Sequence, residues 1–222
     1  MGFFIMTEFR KTWKDPELSF FLPDTCMSWY QECGLSEGSL IEWCKQFCNK
    51  DSTILDIGAH TGTYSIKLAD YCKNVYAFEP QTMTYYALCG SIAINDKENI
   101  TPFKVGLGSP EQVGTQMLKI VSLDGGGSSL HATNYFKSEE IEVKTLDSFN
   151  LSNINFIKMD VEENELFVLK GGLETLKRCK YPKIVFEAND FEKSSELFEY
   201  IKAIGYTITN INGYKNMYLA YT

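Results

Sequence analysis

Apolar residues along the chain gather into short runs and longer helical-period stretches that alternate from residue 53 onward. Thr53 to Ile57 (TILDI) is a short β-branched run, and Thr63 to Tyr71 then carries helical spacing. Asn74 to Phe78 (NVYAF) predicts the next strand, Gln81 to Ile94 the next helix and Ile100 to Val105 a third strand. A βαβαβ order of this kind implies a parallel sheet covered by helices on both faces. Ahead of it, Leu40, Ile41, Trp43, Cys44 and Phe47 recur at helical spacing between Ser36 and Asn49, with Ser36 or Ser39 as the cap. Residues 1–35 hold aromatics and the turn formers Asp15, Pro16, Pro23, Asp24 and Gly34 without a period. They predict an N-terminal extension packed on a single domain of residues 36–222.

The rhythm breaks between Gly106 and Glu140, where GGGSSLH at 125–131 predicts an irregular, Gly-rich insertion of the kind that often carries substrate contacts. A short strand over Ile141–Thr145 follows. Phe156–Met159, ending in Asp160, resumes the sheet, and Glu163–Arg178 reads as one helix. Lys183–Glu187 is a strand, Phe191–Ile204 a helix, and Thr207–Ile211 and Asn216–Tyr221 are closing strands.

At 222 residues, with 44% hydrophobic and 23% charged positions, the chain has the length and composition of an ordinary globular domain. A net charge of -8 argues against a nucleic-acid partner, which needs clustered Lys and Arg to displace counterions from phosphates. The seven cysteines (26, 33, 44, 48, 72, 89 and 179) are odd in number, lack CxxC spacing and have only two His beside them. That pattern fits reduced thiols better than a disulfide framework or a zinc site. Cys44 and Cys48 share a helix face as packing groups. No apolar run reaches the roughly 18 residues of a membrane span, and MGFFIM at the start fits neither a signal peptide nor the myristoylation pattern. A cytoplasmic protein without a membrane partner is expected.

The chemistry concentrates where strands end. Gly58 and Gly62 follow the strand TILDI and precede a helix, the place where a backbone must turn tightly and approach a ligand. Glu79 ends the next strand about 20 residues on, where a carboxylate can accept hydrogen bonds from both ribose hydroxyls of a nucleoside. A dinucleotide fingerprint wants GxGxxG, but His60 and Thr63 occupy the second and third glycine positions, which disfavours NAD. S-adenosylmethionine (SAM) carries no phosphate and needs only close backbone approach, with Asp56 orienting the loop.

The blocks LDIGAHTGTYS at 55–65, FEP at 78–80, GSSL at 127–130, TLDS at 145–148 and IKMDVEENELFVLKGG at 157–172 resemble the FkbM-type methyltransferases, which are class I SAM-dependent enzymes. The resemblance runs over roughly residues 50–190. It implies a Rossmann-like α/β sheet of order 3-2-1-4-5-7-6 with strand 7 antiparallel and helices on both faces. It also implies transfer of a methyl group from SAM to a hydroxyl, commonly of a sugar or glycan, without identifying the acceptor. Asp56, Gly58, Ala59, His60, Thr61, Gly62, Tyr64, Glu79, Pro80, Gly106 and Asp160 are then expected to surround the cofactor. The chain departs from the family where DVEG becomes Asp160, Val161, Glu162 and Glu163, and where Ser91 replaces an Asn, expected to be a minor surface change. A carboxylate suits the positive N-terminal end of a helix, so Glu163 should be tolerated by the fold.

Transfer to a hydroxyl requires positioning and removal of a proton. Asp160, at a strand tip facing the cleft, is the candidate to orient or deprotonate the acceptor, with Glu162 beside it, or else it contacts only cofactor or loop. His131, after the GSSL turn, is a candidate base near neutral pH. Glu187, ending VFEAN, is a candidate lining group for the acceptor pocket. Asp160 and Glu162 lack a third partner in the sequence, so no metal is expected, although hard cations take such oxygens. Tyr85, Tyr86 and Tyr135 do not by themselves locate a sugar subsite. Two other readings stay open: a SAM-binding module without turnover, motivated by Glu163, and an NAD-dependent oxidoreductase resting on the sheet alone.

Overall fold

A computed structural model describes residues 12–14, 18–21, 34–188 and 194–222. Its centre is a seven-stranded sheet of β3 (Thr53–Ile57), β4 (Asn74–Phe78), β5 (Ile100–Phe103), β9 (Ile154–Met159), β10 (Lys183–Glu187), β11 (Thr207–Asn210) and β12 (Met217–Tyr221). The strands lie in the order β11-β12-β10-β9-β3-β4-β5. β12 runs antiparallel to both β10 and β11, whereas the pairs among β10, β9, β3, β4 and β5 are parallel. This is the order 3-2-1-4-5-7-6 with its seventh strand reversed, the class I methyltransferase sheet.

Burial explains why the central strand has no polar alternation. Every residue of TILDI is buried, because helices cover both faces. Ile54 packs into one core with Leu40, Leu68, Leu88 and Phe156, while Leu55 and Ile57 point to the opposite core with Met159, Ile184 and Phe186. The covering helices are α1 (Gly38–Cys44), α2 (Thr63–Leu68), α3 (Thr82–Ile94), α4 (Glu165–Lys170), α5 (Leu173–Arg178) and α6 (Ser195–Ala203). Part of the predicted helix Phe191–Ile204 lies outside the described residues, as do Cys26, Cys33 and most of the extension.

Several expectations are corrected. The first helix is capped by neither serine: Glu37 stands at its N-cap in the left-handed region, at φ 56°, and offers no side-chain bond. The helix predicted over 163–178 is two helices. Gly171 passes so close to a neighbouring loop that a Cβ there would lie 2.0 Å from the Gly108 carbonyl oxygen. Asp147 then starts α5 afresh, accepting the Thr175 N–H at 2.7 Å and the Glu174 N–H at 3.2 Å.

The stretch from Gly106 to Glu140 is not simply irregular. It contributes β6 (Gly106–Leu107), β7 (Gly114–Ile120) and much of β8 (Lys137–Lys144), a second sheet of order β6-β8-β7. Leu118, Ile120, Ile141 and Val143 form its own small core. The extension contributes a hairpin of β1 (Thr12–Lys14) and β2 (Ser19–Phe21), whose Phe20 is buried. Ser91 is no surface position: it is fully buried on α3 and its hydroxyl accepts the Phe21 N–H at 3.0 Å.

Candidate functional site

The parallel strands end at one edge, and the loops leaving β3, β4 and β9 meet there. Gly58 turns out of β3 at φ 78°, and its N–H and that of Ala59 both bond the Phe78 carbonyl at the tip of β4 at 3.0 Å. A Cβ at Gly58 would sit 1.7 Å from the Asp160 carbonyl oxygen. Only glycine allows the first and third loops to touch.

Beneath this contact Asp56 is 1% exposed and accepts the Ser65 N–H at 3.0 Å and the Ser65 hydroxyl at 2.6 Å. It ties the loop to the first turn of α2. Burial pushes its carboxyl up, opposed by the Lys158 charge and the Ser65 bonds.

Glu79 is buried at the tip of β4. Its Oε2 accepts the His60 N–H at 2.8 Å, and its Oε1 accepts the Gln81 N–H at 2.9 Å and the Thr84 hydroxyl at 2.8 Å. Burial raises its pKa, while the His60 charge and these donors pull the other way. The His60 ring reaches across to the Asp124 carbonyl at 2.8 Å, joining this loop to the Gly-rich turn.

Between these loops lies a cavity of about 190 Å³. Gly58, His60, Glu79, Pro80, Gly106 and Asp160 line it from the sheet edge, and residues 125–130 of the Gly-rich turn line it from the other side. The turn is fastened by the Gly127 N–H on Glu162 Oε1 at 3.1 Å and by the Ser129 hydroxyl on the Glu162 carbonyl at 2.6 Å. Of the remaining expected cofactor residues, Asp56, Ala59, Thr61, Gly62 and Tyr64 stand behind the wall and not on it. They shape the loop: the Tyr64 hydroxyl, for example, donates to Glu37 Oε2 at 2.8 Å.

Asp160 and Glu162 are brought together with Glu187, and carboxylate oxygens of the three lie within 4.8 Å of one another. The third carboxylate that the sequence did not reveal is therefore present, supplied by the tip of β10. Burial, and then the charges of Asp160 and Glu162, push the Glu187 carboxyl up to about 8. Glu162 and Glu163 both hold positive φ, 51° and 73°.

Glu162 also lines a second cavity, of about 340 Å³, together with His131, Glu163, Glu165, Phe167 and Glu187. His131 is thus placed beside the carboxylates and outside the first cavity. Its ring stacks on Phe167 with centroids 5.6 Å apart, and its Nε2 lies 2.9 Å from Asn164 Oδ1. Asn164 donates from Nδ2 to the Leu107 carbonyl, so its Oδ1 is the acceptor and the His131 Nε2 carries the proton. The basic lone pair of the neutral ring is then on Nδ1. Tyr86 and Tyr135 are exposed and line neither cavity.

Sequence reasoning missed four groups. Lys158 is a buried cation behind Asp160, Asn164 holds His131, and Gln81 lines the first cavity with a buried, unpartnered Oε1. Glu165, 5% exposed, accepts the Val161 N–H at 3.0 Å, and burial pushes its carboxyl up to about 7. Lys158, Asn164 and Glu165 stood inside the motif block already singled out, and only their burial and partners were invisible.

The model of the methyltransferase FkbM domain matches residues 56–208. The chain belongs to the FkbM methyltransferase family. Methyltransferase 1 of Beauveria bassiana (strain ARSEF 2860) is 27% identical over 151 residues, which span 54% of this chain and 58% of that protein. The crystal structure of an FkbM methyltransferase from Methylobacillus flagellatus KT is similar at a TM-score of 0.55 and 22% identity. It covers 77% of this chain and 44% of its own. TYW2 of M. jannaschii, solved in complex with AdoMet, has a TM-score of 0.51 at 16% identity over 96% of this chain and 84% of its own. This FkbM methyltransferase chain thus spans little more than half of the fungal relative it matches. Among its described residues no helix is long and apolar enough to cross a membrane.

Proposed function

We propose that this methyltransferase moves a methyl group from SAM to a hydroxyl of a sugar, a glycan or another small hydroxylated acceptor. SAM is the cofactor, and the first cavity suits it. Glu79 stands there for the ribose hydroxyls, and the cradle at Gly58 admits no side chain. Gln81 Oε1, in a lining residue, is a buried acceptor that meets no N–H or hydroxyl donor. Such an orphaned acceptor is what a ligand rich in N–H and O–H groups would satisfy. When bound, SAM supplies a methyl group on a positively charged sulfur.

One observation supports the acceptor side most: Asp160 lines the cofactor cavity, Glu187 lines the adjoining one, and Glu162 between them lines both. Asp160 accepts the hydrogen bond of the acceptor hydroxyl and takes its proton as transfer proceeds. Glu162 and Glu187 accept bonds from neighbouring hydroxyls, which favours a polyol over a flat apolar acceptor. His131, with its basic Nδ1, is the second candidate for the proton. The net charge of -8 and the carboxylate-lined cavity weigh against a nucleic-acid acceptor. The described cysteines 44, 48, 72, 89 and 179 are free thiols, which suits the cytoplasm as its compartment.

The test is transfer of labelled methyl from SAM into a panel of sugars and small alcohols. Asp160→Ala is expected to abolish transfer while S-adenosylhomocysteine (SAH) still binds; transfer at the wild-type rate would remove Asp160 from the mechanism. SAH binding with no transfer to any acceptor would favour a SAM-binding module instead.

A further inference from the structure

Lys158 is 5% exposed, in the middle of the central sheet, and has no part in the mechanism above. It pairs in register with Asp56 on the neighbouring strand β3. Its ammonium donates to the Gly58 carbonyl at 3.2 Å and to Asp160 Oδ2 at 3.3 Å, and it lies 5.1 Å from the centre of the Tyr64 ring. Tyr64 in turn is bonded to Glu37. The groups facing the ammonium are therefore Asp56 on β3, Asp160 after β9, Glu37 before α1 and the Tyr64 face on α2.

Taking an ammonium out of water is strongly unfavourable, and its attraction to buried carboxylates repays this only with good geometry. Packing alone would be served by Met or Leu without that penalty. What an apolar side chain cannot do is donate a hydrogen bond to Gly58. That glycine has no Cβ to restrict it, so its peptide plane is fixed only by its partners. The same peptide unit leads to Ala59 and His60, whose N–H groups are bonded to the tip of β4 and to Glu79.

We propose that Lys158 is a positioning residue: it ties the Gly58 carbonyl on the cofactor side to the Asp160 carboxylate on the acceptor side, so that the two loops keep one relative placement. This rests on the assignment of the first cavity to the cofactor. The link is short and direct, through one side chain between adjacent strands. No other Lys or Arg among the described residues bonds either group.

Calorimetric titration of SAH into wild type, Lys158→Met, Asp160→Asn and the double variant tests it, alongside their folding stabilities. Lys158→Met removes the charge and keeps the stem. It is expected to lose stability, because Asp160 is left without its cation, and to bind SAH about tenfold more weakly, because Gly58 has lost a charged donor. Asp160→Asn, altered in the wall of the same cavity, supplies the SAH affinity against which the double variant is read. In the double variant the carboxylate at Asp160 is gone while Asp56 stays buried beside the missing cation, so stability should recover only in part, and SAH binding should stay about tenfold weaker than that of Asp160→Asn. A merely structural lysine predicts that both recover together, and that result would overturn the proposal. Should Lys158→Met not fold, the double variant decides it: SAH affinity there equal to that of Asp160→Asn refutes the link to Gly58. Failure of the wild-type protein to bind SAH is a different outcome and removes the cofactor reading itself.

Discussion

Glu163 stands at φ 73° directly after Glu162 at φ 51°, a pair of left-handed residues with side chains where the related family motif has glycine in the second place. A non-glycine residue in that region costs roughly 1–2 kcal/mol. The sequence expectation was that a carboxylate near a helix N-terminus would be tolerated, and the turn is indeed made, but for a reason the sequence did not show. The Glu162 backbone and side chain are held from the other side by Ser129 and Gly127. Glu163→Gly should therefore raise stability by about 1 kcal/mol in chemical denaturation, the strain relief less a few tenths for the lost charge at the start of α4. Unchanged or lower stability would mean that the turn is not strained. Gly58, Glu79 and Asp160 were legible as residues because their chemistry depends on position at a strand tip. Lys158 and Asn164 were not, because their roles come from Gly58 and His131, distant in sequence, and Gln81 was not, because its role comes from burial at the cavity wall.

Elements were legible where one period ran unbroken. β3, β4, β10 and α3 lie within a residue of their predicted bounds. The break between α4 and α5 was hidden because Gly171 and Gly172 interrupt an apolar period that continues through them, and only the approach of Gly108 shows why glycine stands there. Gly171→Ala would force a Cβ to 2.0 Å from that carbonyl oxygen, so loss of several kcal/mol, or failure to fold, is expected. Of the second sheet only the strand expected over Ile141–Thr145 was legible, as the second half of β8, while β6 and β7 were hidden by glycines and charges, although Leu118 and Ile120 do alternate with polar neighbours.

Glu165 in the first turn of α4 gives a pH signature of the same element. Its carboxyl titrates at about 7 in the folded protein against 4.5 for the ordinary group. The native state therefore holds the proton more tightly than the unfolded chain. This contribution is fully present below pH 4.5 and is lost as pH rises through 7, on the order of 3 kcal/mol. Thermal unfolding of Glu165→Gln, which keeps an acceptor for Val161, should fall less between pH 5 and 8 than that of wild type. Parallel curves would contradict the assignment of this titration to Glu165.

At the scale of the whole molecule the doubly covered parallel sheet followed from alternation of strand and helix, and the reversal of its seventh strand followed from resemblance. The extension was less legible, since its described part, β1 and β2, packs on α3 through Ser91 and Asn95, side chains that carry no local pattern. The loops after β3 and β4 are proposed to enclose a nucleoside cofactor without a pyrophosphate. Calorimetric titration with SAH, with NAD in parallel, on wild type and Glu79→Ala tests it most directly. SAH is expected to bind and NAD is not, and Glu79→Ala is expected to weaken SAH binding by at least about tenfold, the loss of a charged hydrogen-bonding partner. Binding of NAD in place of SAH, or SAH affinity indifferent to Glu79→Ala, would contradict it.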